Sequence, residues 1–289
     1  MPTGPMSEGG GLINLGELSK PATVLIEKIS EAIGGIFRPY QLRRIAQAEG
    51  EAEKIRALSQ IEITELQRRA IQRFVVEEAK KQQNIESITQ KALPGVEEGA
   101  SPQNVEDDWI TNFFHGCRLI SDEQMQDLWS KVLAGEANKP GSYSKRTVNL
   151  LSSLDKTDAE LFTTLSTFAW TIDVAFPLVY DVHDRIYTDV GITFSNLTHL
   201  DDIGLVSFDN VSGYGVQNLP KTTLTLYYDR RFKVEFSRLE NNDLSLGHVV
   251  LSKAGQELAR ICGSGPRAGF VEYVIAKWQQ IGLHVTEEA

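Results

Sequence analysis

Between Ile120 and Phe168 the chain reads ISDEQMQDLWSKVLAGEANKPGSYSKRTVNLLSSLDKTDAELFTTLSTF, a spacing that leaves little choice but short helices packed on one another. Met125, Leu128, Trp129, Val132 and Leu133 recur at i, i+3, i+4, i+7 and i+8, the stripe of a helix with one buried face. Ser121 with Gln124 three residues on has the capping-box pattern, and Gly135 stands where such a helix would stop. Beyond the Lys139-Pro140-Gly141 turn, Val148, Leu150, Leu151 and Leu154 mark a second helix. Asp155 followed by Asp158 opens a third, with Leu161, Phe162, Leu165 and Phe168 inward. Burying a dozen such side chains at about 1.5–3 kcal/mol each holds a helical core against chain entropy. The polar residues of this block are spaced for capping, and none for catalysis.

N-terminal to it lie two further helical patterns. Residues 1–11 are too rich in Gly and Pro to fold alone. From Thr23 to Phe37, Leu25, Ile29, Ile33, Ile36 and Phe37 form an apolar face, with Glu27, Lys28 and Glu31 opposite. That face reads as a membrane or oligomer face; packing within the protein or on a neighbouring subunit is favoured over a lipid surface, because the polar side lacks a Lys/Arg excess. Residues 38–93 are dominated by strong helix formers and read as one long helix or a helical hairpin. Its stripe, which includes Ile45, Ile55, Leu66, Ile71, Phe74 and Val75, has too irregular a register for a strict heptad zipper. Pro94 ends this arm, and the polar stretch that follows reads as a linker.

After Trp170 the period changes. The segment Phe176–Asn196 has mixed periodicity, and Asn196–Asn210 reads as a short helix entering a strand. TTLTLYYDRRFKVEF alternates sharply, as a strand or tight hairpin does. GHVVLSKAGQELARICG reads as a strand entering a helix capped by Ser252, and a helix from Phe270 with a short strand ends the chain. The order helix, strand, ribbon, strand, helix is that of a winged-helix-like unit. The expected fold class is therefore mainly α: an N-terminal amphipathic helix and long helical arm, a central helical bundle, and a C-terminal α+β winged-helix-like domain. The expected boundaries are a flexible tail at 1–21, the arm at 22–93, a linker at 94–107, the central helical domain at 108–170 and the last domain at 171–289.

Composition narrows the chemistry. A 41% hydrophobic, 24% charged chain of 289 residues is that of an ordinary globular protein. The net charge of −10 argues against nonspecific attraction to nucleic acid or anionic membranes. Cys117 and Cys262 are far apart in dissimilar surroundings and read as two thiols in a reducing compartment. With neither a leader nor a run approaching the roughly 20 apolar residues of a spanning helix, the expected location is cytoplasmic, with the inner-membrane periphery as second choice. No phosphate loop, CxxC, HExxH or GxSxG is present. His183 lies among acids in Asp181-Val182-His183-Asp184, which reads as a polar loop with Asp turns rather than a metal site. On the expected ribbon, Arg230, Arg231 and Lys233 beside Tyr227 and Tyr228 are candidate nucleic-acid contacts. Asp201 and Asp202 on the helix that would enter a groove oppose that reading. Neither a cofactor nor a metal is expected.

The stretch LISDEQMQDLWSKVLAGEANKPGSYSKRTVNLLSSLDKTDAELF, with FRPYQLRRIAQAEGEAEKIRAL before it and LSKAGQELARI after it, closely resembles a family of bacterial proteins of unknown function over about residues 22–285. The central block, roughly residues 105–170, is also similar to the abortive-infection alpha family, through Trp129, Gly135, Glu136, Pro140, Ser144, Arg146 and Thr147. The resemblance implies a cytoplasmic bacterial protein of phage-defence or mobile genes and supplies no catalytic residues. Glu136, Arg146 and Thr147 are candidate partner-binding or turn residues, with Arg146 placed to pair with Glu136 across the turn. The functional expectation is a non-enzymatic helical interaction protein that forms a homo-oligomer and contributes to anti-phage defence. A membrane-active effector using residues 23–37 and a winged-helix nucleic-acid binder are the alternatives. Expected partners are a second copy of the chain, then a protein or a membrane surface, with nucleic acid last.

Overall fold

The computed structural model describes residues 18–33 and 64–288. Expectations for the N-terminal tail, for Ile36 and Phe37, and for the arm before Thr64, including whether it turns back as a hairpin, lie outside the described residues. The chain divides between residues 142 and 143 into two compact units.

The first unit is helical: α1 (Lys20–Ile33), α2 (Glu65–Ala92), α3 (Asp107–Cys117) and α4 (Glu123–Asn138), with single turns of 3-10 helix at Leu93–Gly95 and Pro102–Asn104. Thr64 starts α2 with a complete capping box, its side chain accepting from the Gln67 N–H while the Gln67 side chain accepts from the Thr64 N–H. The C-terminal half of α2 packs on α4, and α1 packs on α3. Their buried faces supply Leu25, Ile29, Ile88, Trp109, Ile110, Phe113, Phe114, Trp129, Val132 and Leu133. Phe113 sits at the middle of the aromatic contacts, stacked on Trp109 and edge-on to Trp129 with ring centroids 5.0–5.1 Å apart.

Two local expectations shift. Asp122, not Ser121, caps α4, its carboxylate accepting from the Met125 N–H at 3.1 Å. Ser121 is engaged by the Asn84 side chain instead. The helix also runs past Gly135 to Asn138, because Ala134, Glu136 and Ala137 are buried and tertiary packing outweighs the roughly 1 kcal/mol that a helical Gly costs relative to Ala.

The second unit carries α5 (Lys145–Ser153), α6 (Lys156–Ser166), β1 (Ala169–Ile172), β2 (Val174–Pro177), α7 (Arg185–Thr188), α8 (Phe194–Asp202), β3 (Val206–Phe208), β4 (Tyr214–Leu219), β5 (Thr222–Tyr227), β6 (Arg230–Glu235), β7 (Asn242–Gly247), β8 (Val249–Leu251), α9 (Lys253–Ala259), α10 (Phe270–Gln280) and β9 (His284–Glu288). Five strands form an antiparallel sheet in the order β2-β1-β5-β6-β9, while β3 pairs with β8 and β4 with β7. One sheet face presents Trp170, Phe176, Tyr227, Phe232 and Val234, all buried. Helix α10 covers it: Trp170 stacks on Tyr227 and meets Trp278 edge-on at 5.0 Å. The opposite face presents Leu224 and Leu226 to solvent beside Arg231 and Lys233.

The expected fold class is thereby corrected. With a five-stranded antiparallel sheet in its C-terminal half beside its helices, this is an α+β protein and not a mainly α one. The winged-helix-like assignment falls with it. The hairpin β5–β6, expected as the ribbon between two flanking strands, lies inside the large sheet between β1 and β9, and the ribbon between β3 and β8 is β4–β7. The physical reason is range. β1 and β2 are four residues each around Asp173, a tight turn at φ +61°. Of the two, β1 joins the sheet, through a pairing of Thr171 with Leu226 of β5, far away in sequence.

Candidate functional site

Helix α2 has two dissimilar halves. From Asn84 onward it is anchored: Asn84 Nδ2 donates to the Arg118 carbonyl at 2.9 Å and to Ser121 Oγ at 3.2 Å, and Ser87 Oγ donates to Gln126 Oε1 at 2.8 Å. From Glu65 to Lys80 every residue is exposed except Ile71, which is half-buried. Leu66 is 69% exposed, Phe74 62%, Val75 50% and Val76 69%. Leu66, Ala70, Ile71, Phe74 and Val75 fall on one broad side of this segment, where an ordinary surface helix carries polar residues, and Val76 lies off that side. An exposed apolar stripe of this kind marks an interaction surface. Its apolar character was legible as part of the imperfect stripe of the arm; its bareness was not.

The turn residues have internal work. Glu136 is buried at the end of α4, and its Oε1 accepts the Gly141 N–H at 2.6 Å. The Ser142 N–H closes the turn on the Lys139 carbonyl at 3.1 Å, with Pro140 and Gly141 between them and Gly141 at φ +88°. In the second unit Ser144 caps α5, accepting from the Thr147 N–H. Glu257 of α9 completes this cap. Its Oε2 accepts from the Ser144 N–H at 2.9 Å and from Thr147 Oγ1 at 2.6 Å, with Thr147 wholly buried and Glu257 7% exposed. Arg146 is exposed on α5. No sequence signal pointed to Glu257, because more than a hundred residues separate it from the cap it serves.

The basic hairpin is largely neutralised within its own sheet. Arg230 makes a bidentate pair with Glu287 of β9, Nε and Nη2 donating at 2.7 and 2.8 Å, and Lys233 Nζ lies 2.6 Å from Glu235. These contacts raise the pKa of Arg230 and Lys233 and lower those of Glu287 and Glu235. Arg231 is exposed and stands opposite Glu288. On α1, Leu25 and Ile29 are fully buried and Ile33 half-buried.

A cluster around Asp184 went unseen in the sequence. Tyr273 donates its hydroxyl to Asp184 Oδ2, and Lys277 Nζ lies 3.3 Å from the same oxygen. Trp278 Nε1 donates to Tyr180 Oη, and Tyr187 Oη donates to the Leu178 carbonyl, each at 2.7 Å. His183 gives its backbone N–H to Asp181 Oδ1, an Asp turn. Among the described residues no group of three or more His, Cys, Asp or Glu side chains is placed to hold a metal ion, and no helix is long and apolar enough to cross a membrane.

Burial raises the pKa of Tyr180, Tyr187 and Tyr273, and moves Tyr227 to about 12. An unfolded chain releases these phenolic protons near 10.0, before the native one does. The stabilisation is complete below that pH and is lost as pH rises through it. Denaturant unfolding at stepped pH should therefore give a flat stability near neutrality and a fall above about pH 10, with tyrosinate absorbance appearing together with unfolding. Tyrosinate that appears fully before the fold is lost would contradict the burial.

No curated protein and no solved structure matches the chain. A family described as "Protein of unknown function (DUF2806)" matches residues 68–275, which spans the anchored part of α2, the capped turn and most of the second unit. The chain belongs to that family.

Proposed function

We propose that this protein is a non-enzymatic interaction protein that self-assembles through the exposed half of α2 and acts in the bacterial cytoplasm in abortive-infection-like defence against phage. The observation that carries the reading is the bare apolar side formed by Leu66, Phe74 and Val75, on a helix whose other half is fixed by hydrogen bonds through the buried Asn84 and Gln126. A stripe of this kind is what a helix presents to another helix. The defence part rests on the resemblance of the central block to the abortive-infection alpha family. The alternatives have less support: Leu25 and Ile29 would have to leave a core before α1 could enter a membrane, and Arg230 and Lys233 are paired with carboxylates.

Plating a broad phage panel on cells that produce the protein tests the role. Fewer plaques are expected for at least one phage, with the protection lost in a Phe74→Asp/Val75→Asp variant that remains folded. Unreduced plaque counts across the panel would overturn the defence reading. Undiminished protection by the double variant would overturn the link between assembly and defence.

A further inference from the structure

We propose that the exposed half of α2 is covered by two neighbouring helices at once, each the same helix of another copy of the chain, so that the smallest closed assembly holds three chains. This number rests on the self-assembly reading and goes beyond it.

The breadth of the apolar side sets the number. At roughly 100° per residue, Leu66, Ala70, Phe74, Ile71 and Val75 stand at about 0°, 40°, 80°, 140° and 180° around the helix. They form two ridges of i, i+4 spacing, Leu66-Ala70-Phe74 and Ile71-Val75, and one helix sets such a ridge into the groove of another. The seam between two helices is narrower than this side. A single neighbour centred on it would leave both edges wet, and Leu66 and Val75, 69% and 50% exposed, stand at those edges. The covered half of α2 shows the same breadth already filled. Asn84, Ile88, Thr89 and Ala92, all buried, lie about five full turns beyond Leu66, Ala70, Ile71 and Phe74, on the same side of the helix. There α2 meets two helices, packing on α4 and touching α3. The bare half continues that side past both of them. The two ridges leave two ways to close. Either the first ridge of one copy meets the second ridge of the next, as in a ring, or each ridge meets its own kind about a separate two-fold axis. Neither closes with two chains, because two straight helices touch along one strip of each.

Mass in solution and thiol reactivity test the arrangement in the full chain. Leu66→Asp and Val75→Asp each put a charge on one ridge. Both positions are exposed, and circular dichroism checks that the fold is kept. The parent should have at least three times the 32.2 kDa chain mass. Each substitution should lower it, to 32.2 kDa if the copies form a ring and to twice that if each ridge meets its own kind. Leu66→Cys and Val75→Cys, made separately in a Cys262→Ser background where Cys117 remains fully buried, report the coverage directly. Both thiols should be shielded from a soluble thiol reagent in the assembled protein. A two-chain parent, or an assembled protein in which either thiol stays open, would overturn the number and leave self-assembly standing. A parent at 32.2 kDa would overturn both, and shielded thiols would then assign this side to the protein's own chain.

Discussion

Replacing Gly247 with alanine should destabilise the C-terminal unit by more than about 3 kcal/mol, the sum of a backbone penalty and a backbone collision. Gly247 sits at φ +82°, where an L side chain costs roughly 1–2 kcal/mol. An added Cβ would stand 2.1 Å from the Val179 carbonyl oxygen and 2.5 Å from its carbon. Neither is a side chain that can swing away: Val179 is in a backbone bridge with Gly247, and its carbonyl accepts the His248 N–H at 2.8 Å. Relief of the clash must therefore open the join between the Leu178–Tyr180 segment and the end of β7. Gly191→Ala is the control, because Gly191 has φ +80° with nothing within 4 Å of the added Cβ. Urea unfolding should show the control losing only the backbone penalty and Gly247→Ala losing that plus the collision. Equal losses for both would mean that the close approach at Val179 is absent.

The second large effect is expected at Glu257. Glu257→Ala should cost about 3 kcal/mol, since it leaves the Ser144 N–H and the buried Thr147 hydroxyl without the carboxylate that accepts from both. Glu257→Gln keeps an acceptor at the same distance and should cost less than half as much. Thr147→Val in the Glu257→Ala background should then add little, because the two residues form one network and their losses do not sum. Additive losses in that double-mutant cycle, read from chemical unfolding, would show that Glu257 and Thr147 are not coupled. The pair also explains why a Ser-x-x-Thr turn in the central block reads as functional. Ser144 and Thr147 hold the start of α5 to α9, so Thr147 has the structural part of its partner-binding or turn reading.

The parts legible in the sequence are those whose partners are near in the chain. Met125, Trp129, Val132 and Leu133 declare their face through a 3.6-residue period, and Asp155 with Asp158 forms the capping box that their spacing announces. The alternation of Thr222 to Glu235 likewise yields a real hairpin, closed by the Tyr228-Asp229 turn with Tyr228 at φ +55°. Nothing local says that this hairpin lies between β1 and β9, because those pairings are set by the burial of Trp170 against Tyr227, Phe232 and Trp278. The same limit hides the candidate surface. Phe74 and Val75 are apolar on a helical stripe whether or not something covers them, and only the placement of α4 against the far end of α2 leaves them bare.

The most direct test of the account is the mass of the full-length protein in solution by size-exclusion chromatography with light scattering, beside Phe74→Asp/Val75→Asp. Self-assembly through α2 predicts a multiple of the 32.2 kDa chain mass for the parent and 32.2 kDa for the variant. A parent that stays at 32.2 kDa up to high concentration would contradict it.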